Sequence, residues 1–161
     1  MKWFVRFVGF LVALLLVMLL VGSTMPRKHS ATAMEVFSSP PEAVWRVMTD
    51  FENGPAWRSD LSAISIDDSL MTEVGDNGDV IEYQLDELTP PRRMVIRIVT
   101  SDLPYGGSWT YELLPIDSGC RLVLTEDGEI YNPMFRFLYR YLFGTTTTMD
   151  SYLQDLKGQI P

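Results

Sequence analysis

The 161 residues include one histidine, His29, and one cysteine, Cys120. That inventory excludes a His-rich zinc site, a multi-cysteine metal site and an internal disulfide framework, and it argues against a Ser/His/Asp triad. No metal and no cofactor are expected. Cys120 sits beside a turn before a strand with no histidine at hand, so it reads as a passive small residue rather than a nucleophile. The turn at 76–79 lacks the spacing and terminal Glu of a calcium loop. Glu126 remains as a weak catalytic candidate. It alternates with Leu122 and Leu124, and an inward carboxyl would have a raised pKa suited to acid or base work. The opposing reading is a solvated position near the strand end, because a buried unpaired Glu is rare.

The elements that would position such groups follow from periodicity. Strands are expected at 31–37, 63–68, 80–85, 93–99, 108–114 and 121–129, each from alternating apolar residues. Their short connections imply an antiparallel meander. Ser39 as N-cap, Pro40 at N1 and Glu42 at N3 open a helix running to about Asp50, and Trp45 and Trp57 read as core anchors. The strand at 108–114 places Trp109, Tyr111 and Leu113 on one face. A final long helix is expected between the Asn132-Pro133 cap and the Lys157-Gly158 stop. At 100° per residue, Phe135, Leu138, Leu142, Thr145, Thr146, Met149, Tyr152, Leu153 and Leu156 share one arc, while Arg136, Arg140, Gln154 and Asp155 fall outside it. Gly144 and the threonines at 145–148 make a bend plausible there.

Three blocks carry a resemblance. PPEAVWRVMTDFENGPAWRSDL, GGSWTYELLPIDSGCRLVLTEDGEI, and NPMFRFLYRYLFG with YLQDLK are similar to the opening motif, the paired late strands and the C-terminal helix of the START-like (polyketide cyclase/dehydrase-like, SRPBCC) superfamily. The resemblance spans roughly 31–157 and implies an α+β helix-grip fold, an antiparallel sheet wrapped on a long C-terminal helix. It also implies a cavity between sheet and helix for one hydrophobic or amphipathic small molecule, with Trp109, Tyr111, Leu124, Leu138, Leu142, Thr146 and Met149 as its walls. The superfamily includes carriers, sensors and cyclases, so fold alone leaves function open. A binding or carrier domain leads; a cyclase- or dehydratase-like enzyme using Glu126, or an interaction domain without ligand, are the alternatives.

Residues 7–21, FVGFLVALLLVMLLV, contain no polar side chain. With their flanks they make about twenty positions, enough to cross about 30 Å of hydrocarbon. The expected organisation is an N-terminal membrane anchor and linker at 1–30, followed by one domain at 31–161. A cleaved signal peptide is the competing reading. The lysine and arginine balance slightly favours a cytoplasmic N-terminus, which would put the domain outside. Residues 1–28 carry Lys2, Arg6, Arg27 and Lys28 and no acid, whereas the whole chain has 21 acidic and 13 basic side chains. The remainder is therefore strongly acidic, which excludes nucleic acid as a natural partner. Arg136 and Arg140 are either headgroup contacts beside the bilayer or a solvated basic face. Oligomeric state leaves no mark in the sequence.

Overall fold

The computed structural model describes residues 2–143 and 146–160. Helix α1 (Lys2–Thr24) leads into β1 (Lys28–Phe37), α2 (Pro41–Thr49) and a 3-10 turn (Phe51–Ala56). Six strands follow: β2 (Leu61–Asp67), β3 (Leu70–Gly75), β4 (Val80–Thr89), β5 (Arg93–Ile98), β6 (Tyr105–Ile116) and β7 (Gly119–Ile130). The chain closes with α3 (Pro133–Leu138), a π-helical turn (Tyr139–Phe143) and α4 (Thr147–Gln159). All strand pairs are antiparallel, in the order β1-β7-β6-β5-β4-β3-β2. This is the expected α+β helix-grip architecture.

The sheet buries one face by period-two alternation. Leu113, Leu122 and Leu124 lie under α2 and α4, which contribute Val44, Trp45 and Met48, and Met149, Tyr152, Leu153 and Leu156. Each such aliphatic side chain contributes about 1.5–3 kcal/mol when fully buried.

Several elements differ from the sequence expectation. Strand β1 begins at Lys28, so the expected linker shrinks to three residues. Helix α2 starts one residue late: Pro40 is the N-cap, Pro41 occupies N1, and no side-chain cap forms. Strand β3 is not among the expected strands, because its inward positions Met71 and Glu73 pair an apolar with a charged residue and hide the alternation. Strands β6 and β7 run 12 residues each, longer than expected.

The largest correction concerns the last helix. It is not continuous: α3 and its π turn are separate from α4. Met149, Tyr152, Leu153 and Leu156 are buried, but Phe135 is 45% exposed and Leu142 is 68% exposed. Leu142 therefore does not pack on the sheet. Arg136, expected outside the buried arc, is 8% exposed. The cause is the neighbour: α3 packs chiefly against the end of α1, where the Met25 carbonyl accepts from the arginine, and touches the sheet at β7. Gly144 and Thr145 lie outside the described residues.

Candidate functional site

The concave face of the sheet and the C-terminal segment enclose a cavity of about 300 Å3. Its apolar wall comes from Ile81 and Tyr83 on β4, Ile98 on β5, Trp109 on β6 and Ile130 on β7. Phe135, Tyr139, Thr147 and Thr148 close it from the helical side. A second space of about 280 Å3 shares Ile81, Tyr83, Trp109 and Thr148, so the two are adjoining parts of one groove.

Each part holds a polar cluster. In the first, alternation along β1 turns His29 to the same face as Ala33 and Phe37. The register puts His29 opposite Gly128 and Ala31 opposite Glu126, so His29 and Glu126 are diagonal neighbours on the inner face. A Cβ at position 128 would overlap the imidazole, so glycine there lets the ring lie across β7. His29 Nε2 then stands 3.5 Å from Glu126 Oε1, and both side chains are 21% exposed. That separation is longer than a normal hydrogen bond, and the buried Nε2 has no hydrogen-bond partner among the described residues. Burial raises the Glu126 carboxyl above its ordinary range, opposed by His29. The Tyr139 ring lies 4.6 Å from the imidazole. Burial, with the Glu126 charge, pushes the Tyr139 phenol up to about 12.

The second cluster centres on Arg58. Its guanidinium donates to Asp60 (Nη2 to Oδ2, 2.7 Å; Nε to Oδ1, 3.1 Å) and to both oxygens of Glu73. Its carbon sits 5.5 Å from the Tyr152 ring centroid. Burial works against the Arg58 charge, but the bonds to Asp60 and Glu73 hold its pKa above the ordinary value. Tyr111 and Tyr152 pack edge to face beside it, 5.6 Å apart. Asp76 and Asp79 lie at the rim, so this end of the groove is acidic.

Among the expected wall residues, Trp109 lines both parts of the groove and Tyr111 the second. Glu126 faces the first. Leu124 and Met149 are fully buried in the core, away from the groove lining. Leu138 is half-buried and Leu142 exposed, and neither is a lining residue. Thr146 is the N-cap of α4, and its hydroxyl donates to Asp150 Oδ2 at 2.8 Å. Thr147 and Thr148 stand in its place over the groove. His29, Tyr83, Arg58, Glu73 and Tyr139 were not singled out from sequence. For His29 the signal was present, since counting back by twos from Phe37 puts it on the inner face. Among the described residues, no group of three or more His, Cys, Asp or Glu side chains is placed to hold a metal ion.

The family described as polyketide cyclase / dehydrase and lipid transport matches residues 28–157. No curated protein sequence matches the chain. Among solved structures, a START superfamily protein from Mycobacterium smegmatis superposes with a TM-score of 0.63 at 14% identity, covering 84% of this chain and 97% of that one. Norcoclaurine synthase from Thalictrum flavum, a point mutant in complex with a transition-state analogue, gives 0.65 at 9% identity, covering 82% and 93%. The di-domain aromatase/cyclase StfQ of the steffimycin biosynthetic pathway gives 0.64 at 10% identity, covering 81% of this chain and 50% of that one. At these identities the likeness concerns the fold.

Proposed function

The chain belongs to the polyketide cyclase / dehydrase and lipid transport family, and from that premise we propose that it binds one hydrophobic or amphipathic small molecule in the groove while α1 holds it at a membrane. The supporting observation is the cavity of about 300 Å3, walled by Ile81, Tyr83, Ile98, Trp109 and Phe135. That volume and lining suit a small ligand with an apolar body. The His29–Glu126 pair would receive a polar end. Membrane attachment is supported by α1, a helix of 23 residues that is long and apolar enough to span a bilayer. The domain would then lie on the extracytoplasmic side.

The test is a titration of the full chain in detergent with a fluorescent fatty acid and with an aromatic probe. Thr148→Trp, which adds volume at the junction of both parts of the groove, should abolish binding and leave the melting temperature nearly unchanged. A filled core would lose about 1–3 kcal/mol from such overpacking. If the parent binds neither probe, the protein is a tethered interaction domain instead. Alkaline carbonate washing tests the anchor: the full chain should stay with the membrane. A soluble product with a new N-terminus near Thr24 would mean a signal peptide.

One observation favours a second reading. Glu126, His29 and Tyr139 converge on the same space, and ionisable groups gathered at a cavity wall can perform acid–base chemistry. The protein would then be a cyclase- or dehydratase-like enzyme with Glu126 as its acid or base. Turnover separates the readings: an enzyme converts its bound ligand and loses that conversion in Glu126→Gln, whereas a carrier returns the ligand unchanged in both forms.

A further inference from the structure

The exit of α1 is joined to the cover of the cavity. Gly22 is the buried residue of α1, and a Cβ there would overlap the Pro133 carbonyl at the start of α3. Two turns on the joint are fastened by hydrogen bonds. Arg136 Nη1 donates to Met25 O at 2.8 Å and Nη2 to Tyr131 O at 3.2 Å. Ile130 N donates to Arg27 O at 2.9 Å, and β1 starts at the next residue. The three residues between α1 and β1 are thus bonded to the domain at Met25 and Arg27, which couples the orientation of α1 to that of α3.

Around this joint the surface is apolar with a basic fringe. Tyr141 and Leu142 are 61% and 68% exposed, and Phe135 is 45% exposed. Arg27 and Lys28 at the α1 exit and Arg140 in the π turn are exposed, on a chain that is acidic overall, with Lys28 Nζ 3.2 Å from Glu129 Oε1. Phe135 and Tyr139 of the same segment are also cavity wall.

We infer that the segment Phe135 to Leu142 lies in the interfacial layer of the bilayer that α1 crosses, and that the cavity exchanges its ligand with that bilayer through the Phe135–Tyr139 wall. This rests on the reading of α1 as a membrane span. The occupant of the apolar surface is lipid because the surface continues directly from the end of an exposed helix of membrane length. Aromatic and aliphatic side chains there match the interfacial region, and the arginines and lysine match lipid phosphates. Strand β2 forms the opposite edge of the sheet from β1, so this arrangement would put it away from the bilayer.

The experiment reconstitutes the full chain in vesicles of phosphatidylcholine and phosphatidylglycerol in equal parts. A polarity-sensitive fluorophore is placed at Leu142→Cys, Leu11→Cys or Ile66→Cys; the native Cys120 is buried and does not compete. Shallow spin-labelled lipid should quench the Leu142→Cys label several-fold more than the Ile66→Cys label, while deep spin-labelled lipid quenches the Leu11→Cys label. Adding Gly22→Val should remove the Leu142→Cys quenching and spare that at Leu11→Cys. Leu11→Cys quenched with Leu142→Cys unquenched overturns the inference and leaves the membrane span standing. No quenching at Leu11→Cys overturns the span itself. Persistent Leu142→Cys quenching in Gly22→Val overturns the role of the joint.

Discussion

Between Thr147 and Gln159, α4 sets Met149, Tyr152, Leu153 and Leu156 into the sheet, and Asp155 Oδ2 accepts from Ser59 N and Oγ at 2.8 and 2.7 Å. Between Pro133 and Phe143 the preceding segment is richer in apolar residues, yet it leaves Tyr141 and Leu142 exposed and buries an arginine. The two stretches differ in what faces them. The sheet offers α4 a closed apolar surface beside the Arg58 cluster. The earlier stretch meets the end of α1 on one side and the open groove on the other. Apolar spacing thus shows that a helical face seeks cover without saying which surface supplies it.

The widest separation between the two stretches should appear with buried charge. Leu156→Asp places a carboxylate at a fully buried position and should cost more than about 4 kcal/mol, or prevent folding. Leu142→Asp should stay within about 0.5 kcal/mol. Chemical denaturation of the full chain in detergent measures both. A costly Leu142→Asp would show that the π turn packs on the domain after all.

Next in size is the cluster beneath α4. Arg58→Met leaves Glu73 buried without its cation, and breaking such a pair costs about 3–5 kcal/mol. Arg58→Met with Glu73→Leu should recover most of that loss, and a melting series of the three variants checks it. On the other stretch, Arg136→Ala removes a buried guanidinium and two hydrogen bonds, with an expected loss of about 1–3 kcal/mol. Hydrogen exchange should then rise at the α1–α3 joint but not in α4. Equal loosening of both would mean that they unfold as one unit.

Local patterns made much of this fold legible. The strands from β4 to β7 and the Asn132 cap of α3 could be read directly, and Asn132 Oδ1 accepts from Met134 N at 2.8 Å. Positions whose role depends on a distant partner were not legible. Glu73 interrupts an apolar alternation until Arg58, fifteen residues earlier, is seen to neutralise it. Arg136 looks like a surface residue until the Met25 carbonyl, 111 residues away in sequence, is placed beside it. The groove followed the same rule: Trp109 was accessible from its strand face, whereas His29 needed the β1–β7 register to meet Glu126. The family resemblance put Leu124 and Leu142 in the expected wall, yet one is core and the other surface.

The smallest effect expected is a change of slope with pH at the groove end under α3. Burial holds the Glu126 carboxyl above its ordinary value of 4.5, with His29 pulling the other way. Between the unfolded and the raised folded pKa, the native state binds more protons than the unfolded state. Stability therefore falls as pH rises through that window, and the penalty is fully present above it. Glu126→Gln removes the titrating group, so it should flatten this part of the stability profile and be at least as stable as the parent at neutral pH. Ligand binding should follow the same window if the polar end of the ligand meets the pair. Carbon-13 NMR of a Glu-labelled sample reads the carboxyl directly, and melting curves from acid to neutral pH read the slope. A Glu126 carboxyl titrating at or below 4.5, with Glu126→Gln destabilising the fold at neutral pH, would show the His29 attraction outweighing burial. The groove end under α3 would then be an ion pair as settled as the Arg58 cluster beneath α4, and the contrast between the two regions would disappear.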